Sequence, residues 1–316
     1  MKAAMDDIER VERRLKLRDL RVLMSVVETG SMGKAAQRLA TSQPAVSRAI
    51  SDLEHALGVR LLDRSPRGVA PTIYARALLA RGRAAFDELR QGVKDIEFLA
   101  DPTAGELRIG CPEAIAVGPV LAVIDRLTRR HPRMAFDVVT SPIATTYREL
   151  RERKVDLVMG RITDLVGEED VVAESLFDYA TVVVAAPRNP WTRRRRIELA
   201  ELVNEPWTLP PPDSYIGALA AQAFRAQGLK LPHSAVTTVS MDMRKRLVAT
   251  GRFLTMLGSY SLTLPGSPSL KPLPVALSET HGAIGIVTLK NRTLSPLGEL
   301  FVKTARAVTK PLVKAK

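Results

Sequence analysis

The chain has 316 residues and a formal net charge of +13 at pH 7, with 46% apolar and 26% charged residues. This length allows two or three compact domains, and the basic excess favours a polyanionic partner such as nucleic acid. Aromatic residues make up only 4%, which argues against a protein that stacks single-stranded bases. The single cysteine, Cys111, excludes internal disulfides and CxxC sites, and the four histidines lack ligand spacing. We therefore expect no metal and no other cofactor.

The N-terminal residues 1–16 form a charged extension to which we assign no function. They contain no apolar stretch of the kind found in a secretory signal. Nowhere in the chain is there a run of about eighteen apolar residues that could span a bilayer. We therefore expect a cytoplasmic protein without a membrane segment.

Residues 31–57 predict two short helices joined by a tight turn. In the second helix, four apolar residues recur at steps of four, three and four and so share one face: Val46, Ile50, Leu53 and Leu57. Small polar and basic residues lie on the opposite face: Gln43, Ser47, Arg48 and Ser51. Ser42 suits the N-cap, Pro44 the first turn and Gly58 a left-handed C-terminal cap. The pattern favours a DNA-binding helix-turn-helix, with a preceding helix at 17–29, over a helical hairpin that only packs a core.

The segment after Gly58 predicts a β-hairpin beside the second helix, with Arg60, Arg64 and Arg67 projecting from it. Between Lys34 and Arg83 there are nine Lys/Arg against three Asp/Glu, an excess of 9 − 3 = +6. Such clustering suits contacts to phosphates, although a solvated basic loop would have the same composition.

Residues 73–99 predict one long helix without proline. Six small or apolar residues recur at alternating steps of three and four: Leu79, Gly82, Phe86, Leu89, Val93 and Ile96. This spacing indicates a coiled-coil seam, which a second copy of the chain could cover. The alternative is that the helix packs on its own domain. Residues 73–103 are thus predicted to be a dimerisation linker that ends in a hinge at 101–105.

Beyond the hinge, residues 104–316 alternate short β runs with helical patterns. The first set predicts strands at 107–110, 136–139 and 155–160, with helices near 117–130 and 146–153. A second set predicts strands at 180–186, 207–209, 236–239 and 253–257, with helices near 214–227 and 242–250. Strands at 270–277 and 282–289 and a helix at 295–308 close the chain. The alternation predicts an α/β domain with parallel strands and two lobes that enclose a ligand cleft. Lobe I is expected at about 104–163 and 268–316, and lobe II at about 164–267.

The N-terminal pattern resembles that of the LysR-type transcriptional regulators. The residues that carry the resemblance are Ala35, Ala36, Leu39, the run SQPAVS at 42–47, Ile50, Leu53, Glu54, Leu57, Gly58, Leu61, Leu62, Arg64, Arg67 and Thr72. Met32 and Leu62 depart from the phenylalanine usual in the family, and Ala75 departs from the usual glycine. These departures affect packing in the hairpin and at the start of the linker.

The resemblance implies a winged helix-turn-helix at 17–72, a linker helix and a C-terminal domain like the type-2 periplasmic binding proteins. It implies a homodimer or homotetramer on double-stranded DNA with an interrupted dyad, an organic acid or sugar as effector, and RNA polymerase as a further partner. By position, the family's DNA contacts fall on Ser42, Gln43, Pro44, Ser47, Arg48, Arg64 and Arg67. Gln and Arg can make bidentate contacts to base edges, and Pro can touch a thymine methyl group.

The family's effector site lies between the lobes, beside loops that follow strands. Here Thr145, Thr146 and Ser214 are hydroxyls at predicted helix starts, where free backbone N–H groups attract anionic or hydroxylated ligands. Arg161, just after a strand, could pair with a carboxylate. The alternatives are ordinary helix caps for the three hydroxyls and a solvated charge for Arg161.

Two other protein classes use similar folds. A transport-type binding protein is disfavoured by the basic N-terminal segment and the missing signal. An enzyme is disfavoured because the chain lacks GxSxG, HExxH and GxxxxGK[ST] motifs and any strand-linked GxGxxG. Cys111 is predicted to be a small buried residue, and the four arginines at 193–196 to form a solvated face.

Overall fold

The computed structural model describes residues 15–65, 68–162, 168–264, 266–277 and 281–313. The chain divides into two compact units, Met1–Arg90 and Gln91–Lys316. Within the described ranges, no helix is both long and apolar enough to cross a membrane.

The N-terminal unit is a three-helix domain with a β-hairpin. Its elements are α1 (Leu17–Thr29), α2 (Met32–Arg38), α3 (Gln43–Leu57), β1 (Leu62–Ser65) and β2 (Gly68–Pro71). The hairpin strands are antiparallel, which makes the hairpin the wing expected from the sequence. Leu23, Val26, Val46 and Ile50 are fully buried where the three helices pack together. The prediction of a winged helix-turn-helix is confirmed.

Residues Ile73–Ala100 form α4, one helix of 28 residues that includes the predicted linker. Its first part packs on its own domain: Leu79 is 3% exposed, and a Cβ on Gly82 would lie 2.8 Å from Cδ2 of Leu20. Farther along, Leu89, Val93 and Ile96 are 53%, 55% and 68% exposed.

The seam predicted on this helix is therefore split between two environments. Leu79, which the spacing assigned to dimerisation, belongs to the core of its own domain, because α1 covers that side of the helix. Phe86 is half-buried against the same core, and the Arg21 guanidinium lies 5.6 Å from its ring centroid. Only the later part of the seam is left as an exposed apolar stripe.

The C-terminal unit alternates strands and helices. Its strands are β3 (Ala104–Cys111), β4 (Arg133–Thr140), β5 (Leu157–Arg161), β6 (Val171–Ala185), β7 (Trp207–Leu209), β8 (Ser234–Thr237), β9 (Thr255–Gly258), β10 (Lys271–Pro272) and β11 (His281–Leu289). Its helices are α5 (Leu121–Arg130), α6 (Ile143–Arg151), α7 (Tyr215–Ala226), α8 (Met241–Ala249) and α9 (Pro296–Val313). Strand β3 pairs in parallel with β4 and β5, as predicted, whereas β11 runs antiparallel to β5 and β6.

Two separate hydrophobic cores confirm the two-lobed fold. Lobe I is built around Leu107, Ile109 and Phe301, and lobe II around Trp207 and Phe224. Strand β6 belongs to both lobes, because its first part pairs with β11 and its last part pairs with β9 and β10.

The lobe boundaries lie later in the chain than the sequence suggested. Phe177 and Tyr179, expected in lobe II, pack in the lobe I core, and Leu273, expected in lobe I, packs in the lobe II core. The predicted strand at 270–277 is also mostly absent. The strand pairing with β6 covers Lys271–Pro272, and Leu273 N then donates to Val183 O of β6 at 2.8 Å. The ladder does not continue, because Pro272 and Pro274 have no N–H to donate.

Candidate functional site

The N-terminal end of α3 is the best-defined candidate surface. The Ser42 hydroxyl caps the helix by accepting a hydrogen bond from Ala45 N at 3.4 Å, and Pro44 occupies the first turn. Gly58 ends the helix in the left-handed conformation, with φ of 67°. Val46 and Ile50 face the core at 0% exposure, so the opposite face is turned to solvent.

The predicted DNA-binding residues of α3 all lie on this surface. Ser42, Gln43, Pro44 and Arg48 are exposed, and Ser47 is half-buried. The side chains of Gln43 and Arg48 make no hydrogen bond or ion pair to any residue that the structure describes. Both can therefore bind a ligand without first breaking an internal contact.

The wing is held against the end of α3 by Glu54. One oxygen of its carboxylate accepts hydrogen bonds from Leu61 N at 2.7 Å and Leu62 N at 3.2 Å. On the other strand, Val69 N donates to Gly30 O at 3.0 Å. These bonds fix the start of the hairpin to α3 and its return strand to the turn after α1. Glu54 was part of the sequence pattern, but its contacts with the wing were not foreseen.

One of the two wing arginines lies among the described residues. Arg64 lies on β1 opposite Val69 and is exposed. Arg67 falls outside the described residues. The wing thus places at least one exposed guanidinium on the same domain as Gln43 and Arg48.

Two of the predicted effector residues lie in α6, but neither caps it. The helix begins at Ile143 with Pro142 as its N-cap, so Thr145 and Thr146 are its third and fourth residues. Thr146 is fully buried, and its hydroxyl is 2.8 Å from Ser141 Oγ and 3.1 Å from Pro142 O. The Thr145 side chain is half-buried and makes no hydrogen bond with the described residues. The prediction that these hydroxyls are at the helix start is therefore wrong by two or three residues.

Ser214 and Arg161 are both held by their surroundings. Ser214 is the N-cap of α7: its Oγ accepts from Gly217 N at 3.2 Å and donates to Pro211 O at 2.6 Å. Arg161 is the last residue of β5 and is 7% exposed, so it is not a solvated charge. Its carbonyl accepts a hydrogen bond from the Tyr147 hydroxyl.

Helix α8 carries two basic residues that sequence reasoning missed. Arg244 is 4% exposed and Lys245 is 2% exposed, although Arg and Lys side chains are seldom fully buried. One sequence feature could have indicated the burial of Arg244. It lies four residues before Val248, so the two residues share a helix face, and Val248 is fully buried in the core.

A second missed group surrounds Asp156, just before β5. Its Oδ2 accepts from Arg108 N at 2.9 Å, and its Oδ1 is 2.7 Å from Arg108 Nη2. Two side chains of α4 also reach it: Gln91 Nε2 is 3.4 Å from Oδ1, and Lys94 Nζ is 3.6 Å from Oδ2. The end of the linker helix is thus fastened to lobe I.

Cys111 lies at the end of β3 and is fully buried in the lobe I core, as predicted. Burial raises the pKa of its thiol to about 12. The thiol is therefore protonated at neutral pH, which makes it a poor nucleophile.

Comparisons with known proteins agree with this geometry. Residues 17–76 match the profile of "Bacterial regulatory helix-turn-helix protein, lysR family", and residues 100–310 match "LysR substrate binding domain". The chain is 29% identical over 306 residues to the HTH-type transcriptional regulator GbpR of Azospirillum brasilense, covering 94% of this chain and 87% of the relative.

Solved structures show the same fold. A full-length OxyR variant from Pseudomonas aeruginosa aligns with a TM-score of 0.68 at 21% identity, over 94% of this chain and 97% of that chain. Full-length CbnR complexed with its target DNA aligns with a TM-score of 0.52 at 19% identity, over 93% of this chain and 100% of that chain.

The second profile alone spans about two thirds of the sequence, and the first matches the domain that holds the exposed end of α3. The chain therefore belongs to the LysR family of DNA-binding transcriptional regulators, which are not enzymes, and combines a helix-turn-helix domain with a substrate-binding domain.

Proposed function

We propose that this regulator reads its operator through the N-terminal end of α3, and that a small-molecule effector bound between the lobes controls it. The observation that carries the proposal is the exposed, unengaged pair Gln43 and Arg48, on a helix whose opposite face is fully buried. A helix that presents such side chains at its N-terminal end can enter the major groove and contact base edges. The relative CbnR is described bound to its target DNA, which supports this role.

The residues of α3 and of the wing then make different contacts with the DNA. Gln43 and Arg48 contact base edges, Pro44 touches an apolar group such as a thymine methyl, and Ser42 and Ser47 bond to phosphate or base. Arg64 and Arg67 reach the DNA backbone or the minor groove from the wing. The basic excess between Lys34 and Arg83 adds affinity that does not depend on sequence.

The exposed stripe on α4 supports binding as a pair. Leu89, Val93 and Ile96 expose apolar surface at steps of four and three, the spacing by which two helices interlock. A second copy of the chain covers this stripe and binds the second half-site of an interrupted dyad in the DNA. Pairing of two dimers gives the tetramer, which acts in the cytoplasm together with RNA polymerase.

The effector lies between the lobes, near Thr145, Thr146, Ser214 and Arg161. Thr145 has a hydroxyl available for a ligand, whereas Thr146 and Ser214 would have to exchange bonds with their own loops. An organic acid or sugar fits this mixture of hydroxyls and buried cations. Effector binding changes the lobe geometry, and the contacts of Gln91 and Lys94 with Asp156 transmit that change to the linker helix.

Binding of the full chain to DNA tests the proposal. Fluorescence anisotropy at fixed salt should show affinity for DNA upstream of its gene about a thousandfold or more above that for a scrambled duplex. Equal affinity for both would contradict sequence-specific recognition. Effector affinity should also change when operator DNA is present, because coupling between two sites is reciprocal.

A further inference from the structure

Helix α8 buries two adjacent cations in the C-terminal domain, and their hydrogen bonds go to neutral acceptors. Arg244 Nη1 donates to Thr255 Oγ1 at 3.2 Å and to Met256 O at 3.0 Å. Lys245 Nζ donates to Ser261 O at 2.5 Å and to Ser267 Oγ at 3.0 Å. Every one of these acceptors is neutral. Among the described residues, no carboxylate oxygen lies within ion-pair distance of either side chain.

The Arg244 guanidinium also has an unused donor. Its Nε is buried and makes no hydrogen bond to any described residue. Such atoms are uncommon, because a buried N–H loses its water without gaining a partner. The Nη1 bonds hold the guanidinium in place, so its Nε edge has a fixed direction.

The groups that act electrostatically on Arg244 include a residue of the other lobe. Burial lowers the pKa of Arg244 to about 10, and Glu113 and Tyr260 are close enough to raise it electrostatically. Glu113 follows β3 in lobe I and is exposed, whereas Arg244 is on α8, which packs on the lobe II strands β7 and β9. Arg244 of lobe II is therefore within electrostatic range of Glu113 of lobe I.

A purely structural role explains only part of this arrangement. The bonds to Thr255 and Met256 tie α8 to β9, and those of Lys245 tie it to the segment that leaves β9. Neutral side chains could make such bonds without burying two positive charges, which is unfavourable when all the hydrogen-bond acceptors are neutral. The unpaired Nε of Arg244 and the neutral acceptors around both cations together indicate a missing anion.

We propose that Arg244 and Lys245 form the anion-binding part of the effector site, and that the effector is a small organic carboxylate. A carboxylate is favoured because the Nε and Nη2 donors of a guanidinium form a planar fork that matches two carboxylate oxygens. Lys245 adds a second positive charge without needing to contact the ligand. This assignment depends on the proposed function and identifies the chemical class of its ligand.

The position also couples the ligand to lobe geometry. Thr255 and Met256 belong to β9, which pairs with the second part of β6, and Ser261 and Ser267 lie on the segment that follows. An anion on the Nε and Nη2 edge would share the guanidinium with Met256 O and Thr255 Oγ1, which bind Nη1. The guanidinium would therefore link the anion to β9, which pairs with β6, the strand that belongs to both lobes.

The test uses the full-length chain and isothermal titration calorimetry. The probes are acetate, succinate, citrate, benzoate and gluconate, with inorganic phosphate and glucose as comparison ligands. The variants are Arg244→Gln and Arg244→Lys, which keeps the charge but lacks the fork. The matched control is Arg246→Gln, on the same helix, where the exposed side chain pairs with Asp242.

We expect saturable binding of at least one carboxylate, weakened about tenfold or more in both Arg244 variants and by less than about twofold in Arg246→Gln. If Arg244→Gln does not fold, Arg244→Lys gives the answer alone. The inference is wrong if no carboxylate binds, if only phosphate or glucose binds, or if the Arg244 variants bind carboxylates as the native chain does. Operator binding by the native chain is measured alongside, and its absence would instead count against the proposed function.

Discussion

Arg292 and Asp156 form a fully buried ion pair, with the Arg292 Nη2 atom 2.5 Å from Oδ1 of Asp156. Arg292 Nη1 also donates to Val155 O at 2.8 Å. The same carboxylate accepts from Arg108, so two guanidinium groups from distant parts of the chain meet on one aspartate. Because Gln91 and Lys94 of α4 also reach it, Asp156 joins the linker helix, β3 and the segment after β11.

We expect Asp156→Asn to destabilise the C-terminal unit by about 3 kcal/mol or more, because removing one partner leaves buried cations uncompensated. Urea unfolding monitored by circular dichroism measures the change. Asp125→Asn is the control, because Asp125 makes an exposed pair with Arg129 and should alter stability by less than about 1 kcal/mol. Equal effects of the two substitutions would refute this role for Asp156.

The same residue predicts a loss of stability in acid. Burial alone would raise the pKa of Asp156, but hydrogen bonds from Arg108 and the charge of Lys94 lower it to about 2, against an ordinary value of 3.8. A carboxyl with a lowered pKa in the folded state stabilises the fold above its unfolded pKa. We therefore expect about 2 kcal/mol of stability to be lost as the pH falls from about 4 to 2. Asp156→Asn should lack this component of the pH dependence.

Glu54 is expected to set the position of the wing. Replacing Glu54 with Ala removes the acceptor for two backbone N–H groups, so the N-terminal domain should lose about 1–3 kcal/mol. Affinity for operator and for scrambled DNA should both fall, because Arg64 is no longer held beside α3. The exposed neighbour Asp52 provides the control as Asp52→Ala. Loss of stability without any change in DNA affinity would show that Glu54 stabilises the domain but does not position the DNA-binding surface.

The exposed stripe on α4 predicts which substitutions break the dimer. Leu89→Asp and Ile96→Asp should each raise the dimer dissociation constant about a hundredfold or more. Each substitution occurs twice in a symmetric interface and replaces apolar contact area with a charge. Light scattering coupled to gel filtration measures the mass. The thermal stability of the monomer should be unchanged, because both side chains are already exposed.

Leu79→Ala is the contrasting variant on the same helix. It should destabilise the N-terminal domain by about 2–5 kcal/mol, since Leu79 is 3% exposed, and should leave association of the folded chain intact. A dimer that survives Leu89→Asp and Ile96→Asp but is lost in folded Leu79→Ala would contradict the assignment of Leu79 to the domain core and of the later residues to the dimer interface.

Local signals in the sequence predicted most of the DNA-binding domain. Ser42 and Gly58 mark the ends of α3, and the spacing of Val46, Ile50 and Leu53 identifies its buried face. These features act over a few residues, so the sequence pattern specifies them directly. The effector domain was predictable in outline for the same reason, because its β runs and helical patterns alternate.

The features that the sequence did not predict depend on contacts between residues that are far apart in the chain. Nothing near Asp156 indicates that Arg292, 136 positions later, is its partner. The polarity of Arg244 and Lys245 favours a solvated face, and tertiary packing overrides that preference. Leu79 and Ile96 belong to the same heptad pattern, but Leu79 is covered by the core of the N-terminal domain and Ile96 is exposed.

The most direct test of the central claim is the effect of Arg48→Ala on binding to the operator and to a scrambled duplex at one salt concentration. If Arg48 reads a base, the operator complex should weaken by about 1–3 kcal/mol while the scrambled complex changes little. Arg129→Ala, in the effector domain, is the control and should bind both duplexes as the native chain does. No loss on the operator, or an equal loss on both duplexes, would contradict base recognition by Arg48 of α3.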